Sequence, residues 1–423
     1  MNQSTIIHVP RRFVAHEWGG TETVILEISK QQLTAGYHPK IVTSMALAKA
    51  KNDTISGVTV ERHSHIYPFF GLSPEQRSAM DKKGGNLLSL PLLAALVREP
   101  NVRIFHAHAL KRLGGTVRTA ARLRGKPYVV SLHGGIFDVP AAELDDLTKP
   151  IQGKFEWGKP FGALLGARRV LEDADHVICV GESESIKARA ELNHDRVSYL
   201  PNGVDCQRFA TGNASAFRQR FGIADQDFLV INIGRIDSQK NQLGLLEAFA
   251  RFHAQSPNAR LLLIGPVTQP AYEEKLKSFI SSAQLSHAVT IIPGLGNDSG
   301  SLVDAYHAAD VFVLASRHEP FGIVVLEAWC AAKPVIVSRV GGLQSLVSDE
   351  QTGLFFDPDA PDAAQQLADR LLRLQADTDM RQRLGEAGKA EAFAKYDWAS
   401  ITMRLEGIYQ SAEAHAQSKK EKK

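Results

Sequence analysis

Short apolar runs, each long enough for one buried strand, alternate with segments of helical periodicity, and the alternation occurs twice. In the first half the runs fall at 5–9, 40–43, 58–62, 104–106, 128–132, 176–180 and 197–200. In the second they fall at 229–234, 260–264, 289–292, 311–315, 334–338 and 353–356. Helical patterns lie between them, for example at 21–34, 115–123, 242–253, 272–283, 302–308 and 322–331. Strands this short and this rich in β-branched residues suit a parallel sheet covered on both faces. The order strand, helix, strand predicts an α/β chain with two Rossmann-like doubly wound domains facing across a cleft. A chain of 423 residues also exceeds what one core usually supports. Domain one is expected over 1–205 and domain two over 206–395. A helix is expected at 396–412, and 413–423 forms a basic tail with little order. Residues 69–86 read as a polar, glycine-containing loop.

Composition narrows the class of function. Net charge is only +3, so no nucleic-acid footprint is expected. The charge is uneven, with 26 Lys+Arg against 20 Asp+Glu in residues 1–200 and 23 against 26 thereafter. A basic first half suits an anionic acceptor or an anionic membrane surface, or it is simply scatter on a solvated surface. The three cysteines, Cys179, Cys206 and Cys330, have no paired spacing, which argues against a disulfide framework or a zinc site. A reducing cytoplasm fits. No signal peptide is expected from residues 1–10, and no run approaches the roughly 20 apolar residues of a membrane span.

Four segments carry candidate chemistry. The strongest is Arg317-His318-Glu319-Pro320-Phe321-Gly322-Ile323-Val324-Val325-Leu326-Glu327, placed between a strand and a helix. Such a helix aims free N–H groups and its positive dipole end at an anion. Glu319 and Glu327 lie eight residues apart and can each accept from a different hydroxylated part of one ligand. Glu327 sits in an apolar helix and needs a partner there. The second segment places Arg235 and Lys240 at a strand's carboxyl end, where two cations can converge on a diphosphate and replace a metal ion. The third is Trp18-Gly19-Gly20-Thr21-Glu22, whose glycines allow close backbone approach, with Thr21 able to begin a helix. The fourth comprises His106, His108 and His133 at strand ends. Nothing in the spacing suggests a metal ligand set. A dinucleotide fingerprint is absent, and Gly294-Leu295-Gly296-Asn297-Asp298-Ser299 is a chance near-match in a loop.

In combination these segments resemble the family 4 glycosyltransferases, retaining enzymes of GT-B fold. The matching pieces are Gly19-Gly20, Ser131-Leu132-His133-Gly134, Pro201-Asn202-Gly203-Val204-Asp205, Gly234-Arg235 with Lys240, Glu319-Pro320-Phe321-Gly322, Glu327-Ala328 and Gly341-Gly342. The resemblance implies that Arg235 and Lys240 grip a donor diphosphate. It implies that Glu319, with backbone groups of Phe321, Gly322 and Ile323, binds the donor sugar, and that Glu327 binds the ribose. Gly20 is implied near the phosphate and His133 beside the transferred sugar, and the helix at 396–412 is implied to return to the first domain. The implied reaction needs no metal and no cofactor. It moves a hexose from a nucleotide-diphosphate sugar, UDP-hexose before GDP-mannose, to a saccharide or lipid-linked acceptor in bacterial exopolysaccharide or lipopolysaccharide synthesis. The place of work is the cytoplasm, with weak peripheral contact at the inner face of the membrane. Trp18 and residues 69–86 depart from the pattern on the acceptor side. A non-catalytic nucleotide-sugar-binding subunit, or a GT-B phosphorylase or epimerase, stays open as an alternative.

Overall fold

The computed structural model describes residues 4–82, 84–134, 151–295 and 300–421. Gly296 to Ser299 of the near-match and the last two residues of the basic tail lie outside them. The chain divides into two compact units, Met1–Pro201 with Trp398–Lys423, and Asn202–Asp397. Asn202 to Asp205, read from sequence as the end of the first domain, thus belong to the second unit.

The first unit contains strands β1 (Thr5–Val9), β2 (His38–Ser44), β3 (Asn52–Ile55), β4 (Val58–His63), β5 (Val102–Ala107), β6 (Tyr128–Leu132), β7 (His176–Cys179) and β8 (Val197–Tyr199). Their order in the sheet is β3-β4-β2-β1-β5-β6-β7-β8, and every pair is parallel except β3 with β4. All five residues of β1 and of β6 are buried. That is the pattern of strands covered on both faces. β3 was not foreseen, because its Asn-Asp-Thr-Ile sequence is polar and exposed. It is held by a two-residue turn in which Ser56 and Gly57 both have positive φ, 51° and 81°, the sign that a type I′ hairpin requires.

The second unit contains β9 (Phe228–Ile233), β10 (Ala259–Ile264), β11 (Val289–Ile292), β12 (Val311–Leu314), β13 (Val335–Ser338) and β14 (Leu354–Phe356). Their order is β11-β10-β9-β12-β13-β14, parallel throughout. The chain leaves β9 for β10 on one side and returns to β12 on the other. The loops after β9 and β12 therefore diverge at one sheet edge, the place where open α/β sheets bind ligands. In the first unit β1 stands in the same position between β2 and β5.

Two expectations need correction. Residues 69–86 are not merely a loop, since Pro74–Lys82 is a helix. Ser73 and Gln76 cap it reciprocally, with each backbone N–H donating to the other's side chain at 2.9 and 3.2 Å, and Met80 packs on Phe69 and Leu72. The signal was the Ser-Pro-Glu-Gln sequence, a capping box with proline at the first helical position. The final helix does not stop near Gln410 but runs over Trp398–Glu421. Arg103 of β5 bonds Glu406 and Glu413, and Lys419 pairs with Asp175 at 3.0 Å. These contacts tie down the segment read as a disordered basic tail. Among the described residues no helix is long and apolar enough to cross a membrane.

Candidate active site

In the second unit, β9 delivers Gly234-Arg235 and β12 delivers Ser316 to Gly322. Backbone and side-chain bonds lock the two loops together. Arg317 N–H donates to Gln239 O at 2.9 Å, and Gln239 Nε2 donates to His318 O at 3.2 Å. Lys240 Nζ then reaches Glu319 Oε2 at 2.5 Å, with both side chains largely buried. Ser316 Oγ donates to the same carboxylate oxygen at 3.3 Å. The sequence assigned Lys240 and Glu319 to separate parts of a ligand. The fold joins them as one buried, hydrogen-bonded ion pair. A pair of this kind fixes geometry more than it adds stability.

Arg235 stands apart from that pair. Its guanidinium is half-exposed, 3.3 Å from Asp237 Oδ2 and 3.1 Å from Gln239 Oε1. Asp237 is buried and also accepts from Lys240 N–H and Thr268 Oγ1. Asp237 and Gln239 were not singled out from sequence, although they lie between the two cations that were.

The helix Ile323–Cys330 begins after Gly322, whose φ of 97° is a left-handed conformation suited to glycine. Its first N–H groups have no intrahelical acceptors. Gly341-Gly342 supports this turn from behind. Gly342 N–H donates to Glu319 O at 2.9 Å, and a Cβ on either glycine would meet the backbone oxygen of Glu319 or Pro320. Phe321 is buried and stacks at a tilt on Tyr396, 6.2 Å between centroids. Glu327 accepts from Tyr306 O–H at 2.6 Å. Burial raises its carboxyl above the usual range, while Tyr306 and Arg208 oppose that rise. Tyr306 is the partner this carboxylate needed, and it lies 21 residues away on another helix.

In the first unit, Gly20 is the first residue of the helix Gly20–Thr34, which is capped at Gly19 rather than at Thr21. Glu22 Oε2 accepts from Gly19 N–H at 3.1 Å. Trp18 packs edge-on against Phe13 and donates to Thr23 Oγ1 at 2.9 Å, so it braces this turn. His133 follows β6 and bonds His108 at 2.7 Å, and His108 bonds His8 at 3.0 Å. His106 lies between Tyr409 and Ser131, at 2.7 Å from each. Ligand atoms of His8, His106 and His108 come within 4.8 Å of one another, a closeness that linear spacing did not announce. Burial lowers all four histidines, His8 and His133 to about 4 and His106 and His108 well below the usual value. They are neutral at pH 7.

With this geometry in view, two family models match consecutive stretches of the chain. The model described as Glycosyltransferase Family 4 matches residues 18–208, and Glycosyl transferases group 1 matches residues 213–391. The chain belongs to this glycosyltransferase family, and its fold is GT-B. A D-inositol 3-phosphate glycosyltransferase 2 from Catenulispora acidiphila is 29% identical over 415 residues, 92% of this chain and 90% of the relative. A D-inositol 3-phosphate glycosyltransferase from Kribbella flavida is 28% identical over 410 residues, 93% and 91% of the two chains. Among solved structures, sucrose-phosphate synthase from Thermosynechococcus elongatus is similar with a TM-score of 0.74 at 21% identity, covering 97% of this chain and 100% of that one. Anabaena HepE, in complex with UDP and glucose, is similar with a TM-score of 0.71 at 18% identity, with the same coverage.

The histidine cluster gives a pH prediction. In the unfolded chain histidine titrates near 6.5, whereas His8 and His133 in the fold titrate at about 4. Between those values the unfolded chain holds more protons, so the stabilisation is complete above about pH 6.5 and is lost as pH falls toward 4. The melting temperature is expected to drop between pH 7 and 5, and to drop less in His8→Gln. A melting temperature flat across that range would contradict the neutral cluster.

Proposed function

We propose that this glycosyltransferase is a retaining, metal-independent hexosyltransferase that uses a nucleotide-diphosphate sugar. UDP-hexose is the favoured donor and GDP-mannose the next. The observation that carries the reading is the Lys240–Glu319 pair in front of the Ile323–Cys330 helix, with Arg235 half-exposed on the adjoining loop. A carboxylate, two cations and a helix N-terminus suit a sugar joined to a diphosphate. Solved relatives by fold with UDP, and with UDP-glucose, support the choice of donor.

In this reading Arg235 and Lys240 hold the diphosphate, and Glu319 accepts from donor-sugar hydroxyls. Backbone groups at Phe321, Gly322 and Ile323 complete that side. Glu327 accepts from the ribose. Gly20 lets the backbone approach the phosphate, and His133 lies beside the transferred sugar. The acceptor oxygen bonds to the anomeric carbon on the face that the diphosphate leaves. The C1–O bond breaks with its electron pair going to the diphosphate, which takes the acceptor's proton. Charge developing on the leaving group is met by fixed cations, the role that a metal ion plays elsewhere.

The acceptor in this reading is a saccharide or lipid-linked saccharide of bacterial surface polysaccharide, used at the cytoplasmic face of a membrane. A structure similar in fold, WaaG, is described as a glycosyltransferase of lipopolysaccharide biosynthesis. The first unit also exposes Phe70, Phe155 and Leu164, at 62%, 69% and 80%, with Lys159 and Arg168 exposed nearby in sequence. Apolar side chains among cations suit an anionic lipid surface. The protein is expected to sediment with phosphatidylglycerol vesicles, less so with phosphatidylcholine, and to lose this in Phe155→Ser. Equal recovery of the variant and the parent would remove this support. The second acceptor reading is an inositol phosphate, favoured by the names of the full-length relatives and by the basic first half.

Lys240→Ala and Glu319→Ala are each expected to lower kcat by about 10²–10³-fold, the cost of losing one group that stabilises developing charge. Circular dichroism should stay unchanged. Release of UDP from UDP-glucose should persist in EDTA, and proton NMR should find the donor's anomeric configuration kept in the product. Near-parental activity in either variant would overturn the site. Loss of activity in EDTA or an inverted product would overturn the mechanism.

A further inference from the structure

Seven side chains of the first unit form one continuous hydrogen-bonded relay. It runs from His133 Nε2 to His108 Nδ1 at 2.7 Å, then from His108 Nε2 to His8 Nδ1 at 3.0 Å. His8 Nε2 meets Gln32 Oε1 at 2.9 Å, and Gln32 Nε2 meets Tyr409 Oη at 3.4 Å. Tyr409 Oη meets His106 Nδ1 at 2.7 Å, and His106 Nε2 meets Ser131 Oγ at 2.7 Å. All but His133 are buried.

Neutral imidazole has one donor and one acceptor nitrogen, so each ring passes the direction of one bond to the next. Gln32 alone has a donor end and an acceptor end that cannot exchange without turning the amide. With Oε1 toward His8, every other proton follows. His8 donates from Nε2 and accepts at Nδ1. His108 must then donate from Nε2, and His133 in turn donates from Nε2 to His108. On the other branch Gln32 donates to Tyr409, which donates to His106, which donates from Nε2 to Ser131.

We infer that Gln32 is a positioning residue that sets the tautomer of His133 from two rings away, holding its proton on Nε2 and leaving Nδ1 as an acceptor. Among the described residues Nδ1 has no hydrogen-bond partner, which leaves it for a ligand hydroxyl. That last step rests on the proposed place of His133 beside the transferred sugar. The same accounting explains why the cluster is a relay and not a metal centre. The Nδ1 lone pairs of His8, His106 and His108 already accept from His108, Tyr409 and His133 respectively. A cation held by these three rings would have to break those bonds.

The relay is tested by nitrogen-15 NMR of the histidine rings in the full chain at pH 7. All four rings are expected to be protonated at Nε2. Gln32→Glu accepts at both ends, so His8, His108 and His133 should keep their protons on Nε2 while His106 alone switches to Nδ1. Gln32→Lys donates at both ends, so His8, His108 and His133 should switch together and His106 should not. Transfer should fall up to about tenfold in kcat, the scale of one hydrogen bond, in Gln32→Lys but not in Gln32→Glu, with donor KM unchanged. Wild-type rings protonated at Nδ1, or rings indifferent to both substitutions, would overturn the relay. A joint shift of His8, His106 and His108 on adding equimolar zinc would also overturn it. Rings that switch as described without any change in kcat would leave the relay standing and overturn the placement of His133 beside the sugar.

Discussion

The contact between the loop after β9 and the loop after β12 is the constraint on which the site of the second unit depends. β9 and β12 are parallel neighbours, so their carboxyl ends lie at one edge of the sheet. The bonds from Arg317 to Gln239 and from Gln239 to His318 then bring a lysine and a glutamate 79 residues apart into an ion pair at 2.5 Å. Close backbone approach at Gly341-Gly342 holds the other side of that turn. A cation, a carboxylate and a helix start thus acquire fixed positions from strand order and two glycines. Preorganisation of this kind gives fixed charges their value in catalysis.

The first unit uses a different device. Its strand-end histidines are not paired with charges but desolvated together, and burial keeps them neutral. Neutral rings can transmit hydrogen-bond direction, which charged rings cannot, since both nitrogens of a charged ring are donors. The last helix, Trp398–Glu421, belongs to this unit and supplies Tyr409 to the network. The end of the chain is therefore a structural part of the unit that its beginning builds.

Much of this was legible in the sequence, and what was missed was missed for physical reasons. Strands such as β1, β6 and β9 stood out because full burial demands apolar, β-branched runs. β3 did not, since it is an exposed polar edge strand held by a hairpin turn. The helix Pro74–Lys82 buries only Met80, so its apolar period was faint and only its cap announced it. Glu319, Lys240 and Arg235 were visible as residue types after strand ends, and Glu327 as a carboxylate in an apolar helix. Their partners Tyr306, Asp237 and Gln239 were not, because a partner is chosen by packing. The longest reach is the pair Gln32 and Tyr409, 377 residues apart, which no local pattern connects.

The central claim is that the donor is gripped where the β9 and β12 loops meet. Amide hydrogen exchange of the full chain, with and without UDP-glucose in EDTA, tests it most directly. Protection concentrated on residues 234–240 and 316–327 is the expected result. Protection that spares both segments, or that appears only when a divalent metal is added, would contradict the account.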